Sequence, residues 1–238
     1  KVNGTTIMKD INTKYRKKLW EIHSTPEFVT QPRNLKIAEV LNDSWTIDMD
    51  DPIITLADRK LGYDFMFGEA VWMLQGRNDV AGVYKYANGI KRFSDNGITF
   101  FGAYGPKIID QLPYVLDILE KDQDTRQGVL NTPYDSFNFS AISFYLVLLL
   151  NSRGIKCKLG KLNIQAGSRH LYESDFKKVD RVLLSKEIED FPKFSFNNLI
   201  DIYKDQPEQF IPTLERAANS GYKVKYEVLQ KPSKNYKP

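Results

Sequence analysis

FNFSAISFYLVLLLNSRGIKCKLGKLNIQ, residues 137–165, contains two periodicities and a break between them. The longest apolar run, Phe144 to Leu150, falls far short of the ~18–20 residues that span a bilayer, so Phe137 to Leu150 reads as a strongly hydrophobic, buried helix. Asn151-Ser152-Arg153-Gly154 closes it. Ile155 to Leu159 then alternates with period two, and Leu162 to Gln165 resumes the alternation after Gly160. That pattern predicts half-buried strands with Cys157 on the apolar face. A buried helix followed by strands sets the class as α+β, mixed.

Outward from this stretch, Ile11, Tyr15, Leu19 and Trp20 recur among basic residues at helical spacing, and Ser24-Thr25-Pro26 breaks the helix. Leu35 to Val40 and Trp45 to Ile47 read as two short extended segments separated by Asn42-Asp43-Ser44. Tyr63 to Gln75 predicts a helix packed on more than one side and ended by Gly76. Pro106 to Lys121 predicts another, with a bend at Pro113. Gly128 to Leu130 reads as the start of a buried strand, Glu208 to Ala218 as helix, and Tyr222 to Val228 as a strand with Lys223, Lys225 and Glu227 facing one way.

The 238 residues, 42% of them hydrophobic, suffice to bury one core, so residues 1–238 are expected to form a single domain. Residues 1–18 carry six Lys/Arg against Asp10, and residues 222–238 carry five Lys against Glu227. The net +4 therefore belongs to basic N- and C-terminal arms, which argues against a nucleic-acid partner. One cysteine excludes an internal disulfide and a cysteine-rich zinc site, and the two histidines lack metal-ligand spacing. The expected setting is reducing and cytoplasmic, with no membrane segment and no metal.

Four strings carry chemical potential. Glu69, in FGEAVW at 67–72, is a carboxylate among apolar side chains, where desolvation favours the neutral form and suits proton transfer; a hydrogen-bonded structural carboxylate is the alternative. Tyr104, in GAYGP at 102–106, sits in a glycine-flanked turn before a helix, facing a cleft or packed in the loop. Arg126, in DQDTRQ at 122–127, presents a planar guanidinium suited to phosphate or carboxylate. His170 and Tyr172, in GSRHLY at 167–172, are two apart, so an extended chain projects both to one side, where they could grip one hydroxylated ligand or simply bond at the surface.

Taken in order, these strings resemble the thymidylate synthase family over roughly Pro32 to Asp175. PRN at 32–34 resembles its phosphate-binding loop, and FGEAVWMLQGRND at 67–79 its glutamate-bearing helix. GAYGPKIIDQL at 102–112, DTRQGVL at 124–130, PYDSFNFSAISFYLVLL at 133–149 and GSRHLYESD at 167–175 follow in the family's order. The resemblance implies a thymidylate synthase-like fold, a large mixed sheet packed with helices and dimerising through the sheet. It implies a homodimer that transfers a one-carbon unit from 5,10-methylenetetrahydrofolate to C5 of a pyrimidine nucleoside monophosphate, dUMP or dCMP. A cysteine thiolate adds to C6, and hydride or water resolves the adduct as methyl or hydroxymethyl.

Carried over by position, Arg33 binds phosphate, Arg126 does so from the partner subunit, Glu69 organises proton-transfer waters, Tyr104 assists at C5, and His170 and Tyr172 hold the sugar hydroxyl. Two residues match the base-reading position. Asn138, in Phe137-Asn138, presents an amide suited to uracil; Asp135, in Pro133-Tyr134-Asp135, presents a carboxyl suited to cytosine. The family's segment with the nucleophilic cysteine and two core strands has no counterpart between Leu130 and Pro133, where Asn131 and Thr132 bridge the gap. Either the complete gene product carries a further segment there, or the chain is a catalytically silent relative that binds nucleotide or a protein partner. Cys157 follows the substrate-reading helix instead of preceding it and reads as core.

Overall fold

The computed structural model describes residues 10–130, 136–189, 191 and 194–232, with the side chains of 222–224 and 226 left aside. In chain order its main elements are α1 (Ile11–Ser24), β1 (Phe28–Thr30), β2 (Ile37–Asp48), α2 (Tyr63–Leu74), α3 (Val80–Tyr84), α4 (Tyr104–Lys121), α5 (Ser136–Ser152) and β3 (Lys161–Tyr172). They continue with α6 (Phe176–Leu184), α7 (Ile200–Tyr203), α8 (Phe210–Ala218) and α9 (Tyr222–Leu229). The chain divides into two compact units, residues 1–61 with 161–191, and residues 62–160 with 192–238.

In the first unit, Asp10 caps α1 by accepting from the N–H groups of Asn12 and Thr13, and the helix ends at Ser24 where the Ser-Thr-Pro break was expected. Asn12 is buried and locks the backbone beyond the sheet: its Nδ2 donates to Thr55 Oγ1 at 2.8 Å, and the Thr55 N–H donates to its Oδ1 at 2.9 Å. The sheet is antiparallel in the order β1-β2-β3. The two extended segments read around Asn42-Asp43-Ser44 are one twelve-residue strand. Asn42 absorbs the irregularity at φ +48, which asparagine tolerates better than most side chains. The register from Ile37 opposite Tyr172 to Asp48 opposite Lys161 continues past it unchanged.

The second unit is helical. α2 and α5 have apolar residues nearly all round, and both are buried accordingly, with Phe67, Ala70, Phe137, Phe144 and Leu148 at 0–1% exposure. Phe67 meets Phe137 at 4.7 Å between ring centroids, and Phe144 stacks near Phe196 and Phe210 at 5.0 and 5.1 Å. Gly68 is required by this packing, because a Cβ there would lie 2.2 Å from the Tyr86 ring.

Three expected strands are absent. Gly128 to Leu130 has no strand structure, and Val129 is 69% exposed. Ile155 to Leu159 is irregular, because the Leu159 N–H and carbonyl are taken by the side chain of Asn197, at 2.8 and 3.3 Å, in place of a neighbouring strand. Tyr222 to Val228 lies in helix α9. Among the described residues the sheet therefore has three strands and no parallel pair, smaller than the large mixed sheet expected. The α+β class stands.

Asp79 ties the turn after α2 to α3. Its Oδ2 accepts from the Gly82 N–H at 2.8 Å, Arg77 donates to both carboxylate oxygens at 2.8 Å, and its carbonyl accepts from Trp72 Nε1 at 3.0 Å. The Arg77 hydrogen bond, with help from Gly82 and against desolvation, holds the Asp79 carboxyl below the usual range. Asp79→Ala is expected to destabilise by about 1–2 kcal/mol at pH 7. A folded-state pKa below the unfolded value makes this stabilisation complete above ~4 and lost as pH falls through the folded value. The gap between wild-type and variant stabilities, compared by denaturant titration from pH 7 downward, should narrow as pH falls below ~4.

Candidate active site

The structure brings Glu69 and Asn138 together. Glu69 lies mid-way along α2 and is half-buried; Asn138 stands in the first turn of α5 with 0% exposure. The Phe67–Phe137 contact sets the two helices side by side, and Asn138 Nδ2 donates to Glu69 Oε2 at 2.7 Å. A carboxylate against an amide at this distance fixes which way round the amide stands. Tyr104 is the first residue of α4, so the helix starts two residues earlier than expected and the half-buried phenol sits on its first turn. Gly105 follows because a Cβ there would lie 2.4 Å from the Arg77 carbonyl. Arg126 is exposed beyond α4 and makes no ion pair among the described residues. Asp135 lies outside the described residues, as does the Asn131-Thr132 bridge.

The other candidates belong to the first unit. His170 and Tyr172 lie two apart on β3, exposed on one face, with rings 5.4 Å apart and edge-on. This is the geometry their spacing predicted. Tyr172 pairs with Ile37, and the Glu173 N–H donates to the Lys36 carbonyl at 3.0 Å. The turn Pro32–Asn34 that feeds β2 therefore lies at the Tyr172 end of the sheet. Within that turn Arg33 and Asn34 take φ +52 and +62, a left-handed conformation that costs about 1–2 kcal/mol at Arg33 and less at Asn34. The Arg33 guanidinium is exposed and without an ion pair among the described residues.

Sequence reading missed Arg169 and Asp43, which form an ion pair at 2.5 Å, and Glu39, which stands opposite His170 in the register. Alternation in β3 would have put Arg169 on the face opposite His170, but nothing local names its partner.

Cys157 is half-buried against the cluster of Leu112, Leu116 and Leu150, with Asn151 Nδ2 3.6 Å from its sulfur. Burial pushes the thiol above its ordinary pKa, which lowers the thiolate fraction at neutral pH. Cys157→Ala is expected to lose about 1 kcal/mol of stability, as read by denaturant titration. Among the described residues no group of three or more His, Cys, Asp or Glu side chains gathers as a metal site, and no helix is long and apolar enough to cross a membrane.

No family model matches the chain. Curated relatives do. A deoxyuridylate hydroxymethyltransferase of Bacillus phage SP01 is 29% identical over 162 residues, covering 59% of this chain and 41% of the relative. Its namesakes from Pseudomonas phage M6 and Delftia phage PhiW-14 are 37% and 34% identical over 84 and 78 residues, covering 33% and 32% of this chain. The chain is similar to phage deoxyuridylate hydroxymethyltransferases. These matches bear out the resemblance read from the motifs. The matched regions span from 22% to 41% of the length of these relatives.

Proposed function

We propose that the chain is the nucleotide-binding and proton-handling part of a folate-dependent hydroxymethyltransferase that acts on C5 of dUMP. The observation that carries this reading is the 2.7 Å contact between Asn138 and Glu69. It puts an amide suited to uracil beside a half-buried carboxylate suited to moving a proton. The names of the relatives support uracil over cytosine and hydroxymethyl over methyl.

In this reading the bare guanidinium of Arg33 takes the 5′-phosphate, joined by Arg126 from the second subunit of a homodimer. His170 and Tyr172 hold the sugar hydroxyl, Asn138 pairs with the O4 and N3 edge of the base, Tyr104 assists at C5, and Glu69 orders the waters that move protons. The thymidylate synthase-like fold acts as one cytoplasmic domain. 5,10-Methylenetetrahydrofolate enters as the second substrate and supplies the carbon. The cysteine that attacks C6 comes from a segment of the complete gene product between Leu130 and Pro133. Support for that lies at Val129, where an apolar residue read as strand is 69% exposed at the edge of the junction.

The test is tritium release from C5-labelled dUMP and dCMP by the complete gene product with methylenetetrahydrofolate. Release from dUMP well above dCMP is expected, and release from neither removes the enzymatic reading. A silent nucleotide-binding relative is the second reading, favoured by the raised thiol of the chain's one cysteine. It predicts thermal stabilisation by dUMP with no release.

A further inference from the structure

Burial along β3 changes phase at a single rung. From Leu162 to Ala166 the half-buried positions are even-numbered, whereas Arg169 and Leu171 are the half-buried ones beyond Gly167. On β2 all four residues from Ile37 to Val40 are at least half-covered on one side of Asn42, and Asp43, Trp45, Thr46 and Ile47 on the other, so β3 alone carries the change of phase. The change falls at Asn42 and Gly167, the rung where no pairing forms and where Asn42 takes its left-handed φ. A regular strand keeps every second residue on one face, so without this change His170 and Tyr172 would share the covered face of Leu162, Ile164 and Ala166. With it they emerge on the open face.

One side chain spans the irregular rung. Arg169, two residues past Gly167, places Nε 2.5 Å from Oδ2 of Asp43, which lies on the other side of the rung opposite Ala166. Its Nη2 stands 3.4 Å from Glu21 Oε2, and its Nη1 donates to the Lys18 carbonyl, so the same guanidinium also grips α1. Lys18 Nζ holds the second Asp43 oxygen at 2.5 Å. The Arg169 and Asp43 side chains are only 13% and 10% exposed, where water competes little for the pair. Burial pushes the Asp43 carboxyl up, but the Lys18 hydrogen bond and the Arg169 charge outweigh it and hold the group below the usual carboxylate range.

We propose that Arg169 is a positioning residue for the sugar-binding pair, acting through Asp43 to hold the phase change that turns His170 and Tyr172 outward. The inference rests on the role given to that pair above. Three directions of grip require a planar fork; a lysine ammonium reaches one partner and releases the others.

The experiment measures binding of dUMP and of 2′,3′-dideoxyuridine 5′-monophosphate to the complete gene product, wild type and Arg169→Met, Arg169→Lys and Asp43→Asn. Wild type should prefer dUMP about tenfold or more, because a site that hydrogen-bonds a hydroxyl discriminates against an analogue lacking it. In Arg169→Met the preference should fall towards one while binding through the phosphate persists, and Arg169→Lys should recover little of it. A variant that is less stable yet keeps the wild-type ratio overturns the inference, because a purely structural role lowers stability without touching discrimination. If Arg169→Met does not fold, the ratio in Arg169→Lys and Asp43→Asn decides in the same way. Wild type that binds dUMP without discriminating removes the role of His170 and Tyr172 itself, a failure distinct from that of Arg169.

Discussion

Glu69→Gln is expected to lower tritium release from C5-labelled dUMP by about 10²- to 10⁴-fold while dUMP affinity changes only a few-fold. Glutamine has the same shape, and its amide oxygen can still accept from Asn138 Nδ2, so the 2.7 Å contact survives. What it loses is the capacity to take up and return a proton. The companion change, Asn138→Asp, keeps the shape and alters the electrostatics: two carboxyls at that separation cannot both ionise, and they titrate as a pair with one proton retained to higher pH. It also replaces an amide suited to uracil with a carboxyl suited to the amino edge of cytosine. The dUMP:dCMP ratio of tritium release should shift towards dCMP by about two orders of magnitude or more. An unchanged ratio would remove Asn138 as the base reader, and Asp135→Asn would then be the substitution that moves it. Full activity in Glu69→Gln would return that carboxylate to a structural role.

The contrast between strings and contacts runs through the molecule. α1, α2, α4 and α5 were legible because their apolar faces and their breakers are local: Ser24-Thr25-Pro26 ends α1, Gly76 takes φ +68 after α2, and Gly154 takes φ +85 after α5. Period-two alternation misled at Ile155 to Leu159 and at Tyr222 to Val228, because a strand exists only with a partner. At the first place the Asn197 side chain supplies the hydrogen bonds that a partner would; at the second the segment packs as helix α9. The site divides in the same way. His170 and Tyr172 share a face by spacing alone. Glu69 and Asn138 were each legible, yet their contact depends on the packing of Phe67 against Phe137 across the two helices. Arg169 and Asp43 meet only because two strands and α1 converge, which no window of sequence contains.

Lys225 shows how far a misread period can propagate. As part of a strand it would face solvent with Lys223 and Glu227, and its charge would belong to a basic arm; in α9 it is 1% exposed. Its ammonium donates to the Ala217 carbonyl at 2.9 Å and the Ser220 carbonyl at 2.5 Å, closing the C-terminal end of α8. It also pairs with Asp64 on the first turn of α2 and lies 5.6 Å from the Phe67 ring centroid. Lys225→Met is expected to lower stability by about 3 kcal/mol, because methionine fills the space but leaves buried carbonyls without donors at about 1–3 kcal/mol each. Relief from burying a charge offsets part of this loss. The loss should shift Tm by about 10 °C for a chain of this size. The Asp64 side chain is 63% exposed, so once the lysine is gone water solvates its carboxylate, and Asp64→Asn should cost no more than about 1 kcal/mol. Thermal and denaturant melts of the two variants separate the causes. Equal losses would mean that the ion pair holds α9, whereas a large loss confined to Lys225→Met means that the helix-end carbonyls do.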